Sequence, residues 1–189
     1  LHILTMLEAY ITQVLWNLVY LEFKQSYDDY LTALNKRKSC NLIKQTTVKK
    51  LTNTTQKLNN VLSSTARLLK NEVGEKEIKY KEFFSTGKAS DVTKGNPTDQ
   101  LLAIDYLLNA LENNTSLNSY TEYYQIIKDL KAELKNDFKK ESVAQKDEDE
   151  SVTLLSLEEN KYDFALKKIK HFVEDHVDAK EAARILKNS

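Results

Sequence analysis

The chain has 189 residues, enough for one domain that buries most of the surface its unfolded form exposes. Its 28 Lys and Arg equal its 28 Asp and Glu, so no net field steers a charged partner, and a 41% hydrophobic content sets it apart from disordered chains. One cysteine, Cys40, excludes an intramolecular disulfide, and the fold must stand on packing, as in the reducing cytoplasm.

The most apolar stretch is Leu1 to Leu21, but Glu8, Gln13 and Asn17 interrupt it short of the roughly 18 to 20 clean residues a membrane span requires. No basic segment precedes it and no small-residue cleavage pattern follows, so it reads as a buried first helix. A cytoplasmic location follows, although a chain that begins at Leu1 is also what removal of a leader would leave. Two apolar stripes share this helix. Leu4, Leu7, Ile11, Val14, Leu18 and Leu21 form one, and Trp16, Tyr20, Phe23, Tyr27, Tyr30 and Leu34 form another about half a turn round. A helix apolar on two sides belongs at the centre of a bundle.

A second helix is expected near 41–73, with Val48, Leu51, Leu58, Leu62, Leu69 and Val73 on one face and Thr55 and Thr65 filling the stripe. Its many threonines lower helix propensity, so packing must hold its first half. All three glycines and the one proline, Gly74, Gly87, Gly95 and Pro97, fall in a loop-rich break near 74–97. Inside the break a short helix is expected to send Ile78, Phe83 and Phe84 to the core. Asn96 as N-cap and Pro97 at the first helical position then open a helix that buries Leu101, Ile104, Leu108 and Leu111 and ends at Asn113 and Asn114. Ser119 and Glu122 form a capping box for the next helix, whose buried face is Tyr120, Tyr123, Ile127, Leu130, Leu134 and Phe138. An acidic link near 141–155, holding the run KDEDE at 146–150, precedes a second capping box, Ser156 with Glu159. The last helix turns Tyr162, Leu166, Ile169, Val173 and Val177 inward and frays after Leu186. The expected architecture is all-α: a single helical-bundle domain over 1–189, antiparallel, with about five long helices plus a short one.

Three runs carry a family resemblance: YLTALNKRKS ending at Ser39, FFSTGKASDVTKGNPTDQLLAIDYLL from Phe83 to Leu108, and IIKDLKAELKNDF ending at Phe138. From Tyr27 to Phe138 the chain resembles an uncharacterised family of all-helical proteins, a domain of unknown function frequent among Bacteroides-type bacteria. It departs from the family pattern in the second helix, where Asn, Thr and Lys stand in place of acidic and arginine residues. The resemblance implies a helical bundle and supplies no function.

The most informative local feature is charge segregation. Residues 36–71 hold nine Lys or Arg and no Asp or Glu, and Lys49, Lys57, Arg67 and Lys70 fall opposite the leucine stripe. Such a face suits an anionic partner, nucleic acid included, or is balanced by the acidic residues of 141–160. It lacks aromatic residues for base stacking. A di-iron site needs Glu-x-x-His pairs, but Lys168 precedes His171 by three and Val173 precedes His176 by three. His171 and Asp175, one turn apart, supply two ligands at most. Cys40 reads as an inert thiol at a helix junction, and phosphate loops, nucleophile elbows and paired metal cysteines are missing. The residues point to no catalytic group, cofactor or metal. The leading expectation is a non-enzymatic helical bundle that acts by protein contact, self-associating through Trp16, Tyr20 and Phe23. The alternatives are a nucleic-acid-binding bundle using the basic helix at 36–70, and a metal-dependent or phosphotransfer enzyme at His171 or His176.

Overall fold

The computed structural model describes residues 2–74, 78–93 and 97–178, with side chains from residue 12 onward apart from those of 91 and 97. The expectations for Leu4, Leu7, Ile11, Asn96 and the end near Leu186 therefore lie outside the described residues. The fold is all-α, with no strand among the described residues. The elements are α1 (His2–Val73), α2 (Ile78–Lys81), a 3-10 turn at Ala89–Val92, α3 (Pro97–Glu112) and α4 (Asn118–His176).

Helix count is the main correction to the sequence reading. The first two expected helices are one element of 72 residues, and the last two are one of 59. No Gly or Pro interrupts 36–41 or 141–156, and ending a helix leaves four N–H and four C=O groups without partners, so the chain continues. Cys40 accordingly sits half-buried within α1, at no junction. The acidic stretch is helix interior too. Gln145 Nε2 donates to Asp149 Oδ1 (2.8 Å), and Lys146 Nζ lies 3.7 Å from Glu150 Oε1, both one turn apart. Ser156 and Glu159 cap nothing, since both lie inside α4.

The chain divides into two compact units: a central unit, Lys44–Ala144, and a terminal unit formed by Leu1–Ile43 with Gln145–Ser189. The central unit holds the main core. Leu58, Leu62 and Leu69 of α1 pack with Ala103, Ile104, Leu107, Leu108 and Leu111 of α3, with Ile127 and Leu134 of α4, and with Tyr80, Phe83, Phe84 and Val92 from the segment between α1 and α3. These positions recur every three or four residues, which is why each helix buries one stripe. Two expected members are absent. Val48 is exposed, and Ile78 points to solvent while Tyr80 takes the inward place and meets Phe84 at 5.3 Å between ring centroids. A one-turn helix sets its phase by the chain entering and leaving it, which periodicity does not carry.

Buried polar groups join the elements. Gln100 Nε2 of α3 donates to Val92 O (3.0 Å) and to Asn59 Oδ1 of α1 (2.8 Å). Gly74, at φ 78°, ends α1 in the left-handed conformation that favours glycine, and its N–H bonds Lys70 O (3.1 Å). The start of α4 is capped from afar, in place of the expected Ser119–Glu122 box. Glu72 accepts the N–H of Asn118 at 2.6 Å and the N–H of Ser119 at 3.3 Å, and the Ser119 hydroxyl donates to it at 2.5 Å. A carboxylate there satisfies free N–H groups and also complements the helix dipole.

In the terminal unit α1 and α4 meet along an aromatic seam. Ring centroids lie 5.7 Å apart for Trp16 and Phe172, 5.6 Å for Phe23 and Tyr162, and 5.5 Å for Tyr30 and Tyr162. Ala33 of α1 and Ser151, Leu155, Ala165 and Val173 of α4 are also buried in this unit.

Candidate functional site

Three places on the described surface bear on function. The first is the apolar outer side of the terminal unit. With about 100° between successive residues of a helix, Val14, Leu18 and Leu21 project away from the seam that carries Trp16, Phe23 and Tyr30. Leu18 and Leu21 are each 59% exposed. On α4, Phe164 is 60% exposed and Leu157, two turns earlier, is exposed as well. Lys168 shows that both helices offer this side together. Its Nζ bonds both carboxylate oxygens of Glu22 (2.8 and 3.0 Å), one turn from Leu18, and lies 4.9 Å from the Phe164 ring centroid. Of the two stripes legible in the first helix, the aromatic one packs on α4 at Trp16, Phe23 and Tyr30, while Val14, Leu18 and Leu21 of the aliphatic one are exposed. Trp16 and Phe23 thus pack on Phe172 and Tyr162, while Tyr20 stacks on Trp16 (6.3 Å) and stays exposed.

The second place is a recess of about 290 Å³ in the central unit, lined by Asp105 and Asn109 of α3 and by Tyr124, Lys128, Lys131 and Lys135 of α4. The four α4 residues are spaced four, three and four apart, so they share one helical face. Lys131 is 8% exposed and its ammonium bonds the Asp105 carboxylate. Burial, and then the charge of Lys135, hold the Lys131 amine below its ordinary pKa. Lys128 Nζ lies 5.5 Å from the Tyr124 ring centroid, which keeps its charge at the rim. No sequence motif announces this site. The signal it leaves is a lysine at position 131, four residues after buried Ile127 and three before buried Leu134, where an apolar residue is expected.

The third is a polar cluster beneath the basic helix. Asp137 is 1% exposed, takes the Lys50 ammonium at 3.0 Å and accepts the Thr54 hydroxyl at 2.8 Å, while Glu133 lies 3.4 Å from Lys50. Burial pushes the Asp137 carboxyl up, but the hydrogen bonds from Lys50 and Thr54 and the Lys50 charge outweigh it, and the net shift is downward. The hydrogen bond to Asp137 raises Lys50 above its ordinary value. Part of the basic block is therefore met inside the fold. Lys49, Lys57, Arg67 and Lys70 are exposed along α1.

His171 and His176, the histidines with described side chains, form no common site. His171 Nδ1 lies 3.5 Å from Glu174 Oε2, on an exposed part of α4. His176 stacks on Phe172 at 4.2 Å, with Nδ1 3.0 Å from Phe172 O, beside a cleft of about 470 Å³ that Trp16 also lines. Among the described residues no three His, Cys, Asp or Glu side chains group in a way that would hold a metal ion, and no helix is long and apolar enough to cross a membrane. No family model, curated protein or solved structure matches the chain.

Proposed function

We propose that this chain is a non-catalytic helical bundle that acts by protein contact, pairing with a second copy of itself through the outer side of the terminal unit. The observation that carries the reading is the open stripe of Val14, Leu18 and Leu21 beside Phe164. Two helices pack along one seam and leave their outer sides to solvent, and an apolar side of this kind is covered when a second pair docks. In this reading α1 and α4 run antiparallel, a direction supported by the descending order of their partners: Trp16 with Phe172, Glu22 with Lys168, Phe23 with Tyr162. A second copy fits because the patch is flanked by both signs of charge. The two charges, Glu22 and Lys168, neutralise each other within the chain, so the edge of the patch repels no second copy.

The contact residues of this proposal are Leu18, Leu21 and Phe164, with Tyr20 at the margin. Trp16 and Phe23 support them from the seam. Light scattering of the eluting protein is the test. It reads close to twice the chain mass of 21.8 kDa for the parent and falls toward the single-chain value for Leu18→Lys combined with Leu21→Lys, with helical circular dichroism unchanged. A parent that stays at the single-chain mass at high concentration overturns the proposal.

A second reading rests on Lys49, Lys57 and Arg67, exposed along one side of α1: an electrostatic track for nucleic acid. Filter binding over a salt series decides it, because affinity indifferent to salt removes the idea.

A further inference from the structure

The recess between α3 and α4 belongs to the central unit, whereas the pairing proposal uses residues of the terminal unit alone. It gathers Lys128, Lys131 and Lys135 around about 290 Å³, and Asp105 is the one acidic side chain among its described lining residues. Lys131 uses its ammonium on Asp105. Lys128 and Lys135 bring two further positive charges with no carboxylate of the lining to meet them. Like charges gathered on one helical face repel one another, and an anion seated between them relieves that repulsion. We infer that this recess is a binding site for a small anion carrying two phosphoryl groups.

The chemistry of the lining selects phosphate. The cationic groups are all lysines, which bind phosphate as point charges through three donors each, and the recess holds no guanidinium fork of the kind that pairs with a single carboxylate. Lys128 and Lys135 stand seven residues apart on α4, about 10 Å along the helix axis, and two linked phosphoryl groups bridge that separation more fully than one. Asp105 stays paired with Lys131 and so does not repel the ligand. Lys128, held over Tyr124, has lost part of its rotamer freedom before binding, which lowers the entropy cost of capturing the anion.

Isothermal titration of the whole chain with inorganic pyrophosphate, and separately with ADP, tests this at low ionic strength. Saturable binding of at least one of the two is expected. The tighter probe shows whether the natural ligand is the free or the esterified diphosphate. Lys128→Gln and Lys135→Gln, both at exposed positions and so compatible with folding, each weaken binding by about tenfold, the worth of one charge-assisted hydrogen bond. Lys57→Gln, on the exposed side of α1, leaves binding unchanged. Absence of saturable binding to both probes overturns the inference. So does an equal loss for Lys57→Gln, which would mean that only diffuse charge is being read.

Discussion

Replacing Asp137 by Asn keeps the side-chain shape and removes the charge, so it probes the polar cluster under α1 without opening a cavity. Its carboxylate holds the Lys50 ammonium at 3.0 Å and the Thr54 hydroxyl at 2.8 Å, and the residue is 1% exposed. Hydrogen bonds to a charged group are each worth about 1.5–3 kcal/mol, and the amide retains one of the two contacts. Asp137→Asn is therefore expected to destabilise the fold by about 1–3 kcal/mol at pH 7, which lowers the melting temperature by roughly 2–4 °C per kcal/mol for a chain of this size. The effect has a pH signature. Asp137 titrates below the ordinary 3.8 in the folded state, so its contribution is complete above the unfolded value and is lost as pH falls through the lower folded value. Urea unfolding of parent and variant at pH 7, 5 and 3 reads this. The gap between them is constant from pH 7 to 5 and narrows toward pH 3. A gap that is absent at pH 7, or that keeps its size in acid, refutes the argument.

Leu107 is fully buried where α3 meets the core, and Leu107→Ala is expected to cost about 2–5 kcal/mol by chemical denaturation, since the surrounding helices relax only in part. Glu72→Gln keeps acceptor capacity at the start of α4 but removes the charge that complements its dipole. A loss of roughly 0.5–2 kcal/mol follows, and added salt shrinks it, because part of the effect is a screened charge on an exposed helix end.

Much of the core could be read from the residues in order. Leu58, Leu62, Leu69, Ile104, Leu108, Leu111, Ile127, Leu134 and Val173 are all buried, and each belongs to a stripe visible in the sequence. Helix ends were harder to read. Ser156 with Glu159 and Ser119 with Glu122 match the capping pattern equally well, yet α4 runs straight through the first pair, and the second lies where Glu72, nearly fifty residues earlier, does the capping. A capping pattern lowers the cost of starting a helix and does not by itself make one start. The lysine recess was illegible for a related reason. Lys128, Lys131 and Lys135 alternate with acidic residues along α4, so charge counting sees a mixed surface, and only the packing of α3 sets Asn109 and Asp105 opposite them.

Periodicity along the chain is local and repeats within a turn, so the residues alone determined that this protein is helical, that Leu58, Leu62, Ile104 and Ile127 turn inward, and that Gly74 and Pro97 bound the interrupted middle. Tertiary structure decided the rest: that Glu72 caps the start of α4, that Asp137 finds its lysine eighty-seven residues away, and that Trp16, Phe23 and Tyr30 of α1 pack on α4 while Val14, Leu18 and Leu21 stay exposed. Each of these turns on which surfaces come together across long sequence separations, and that energy is not a property of any one segment.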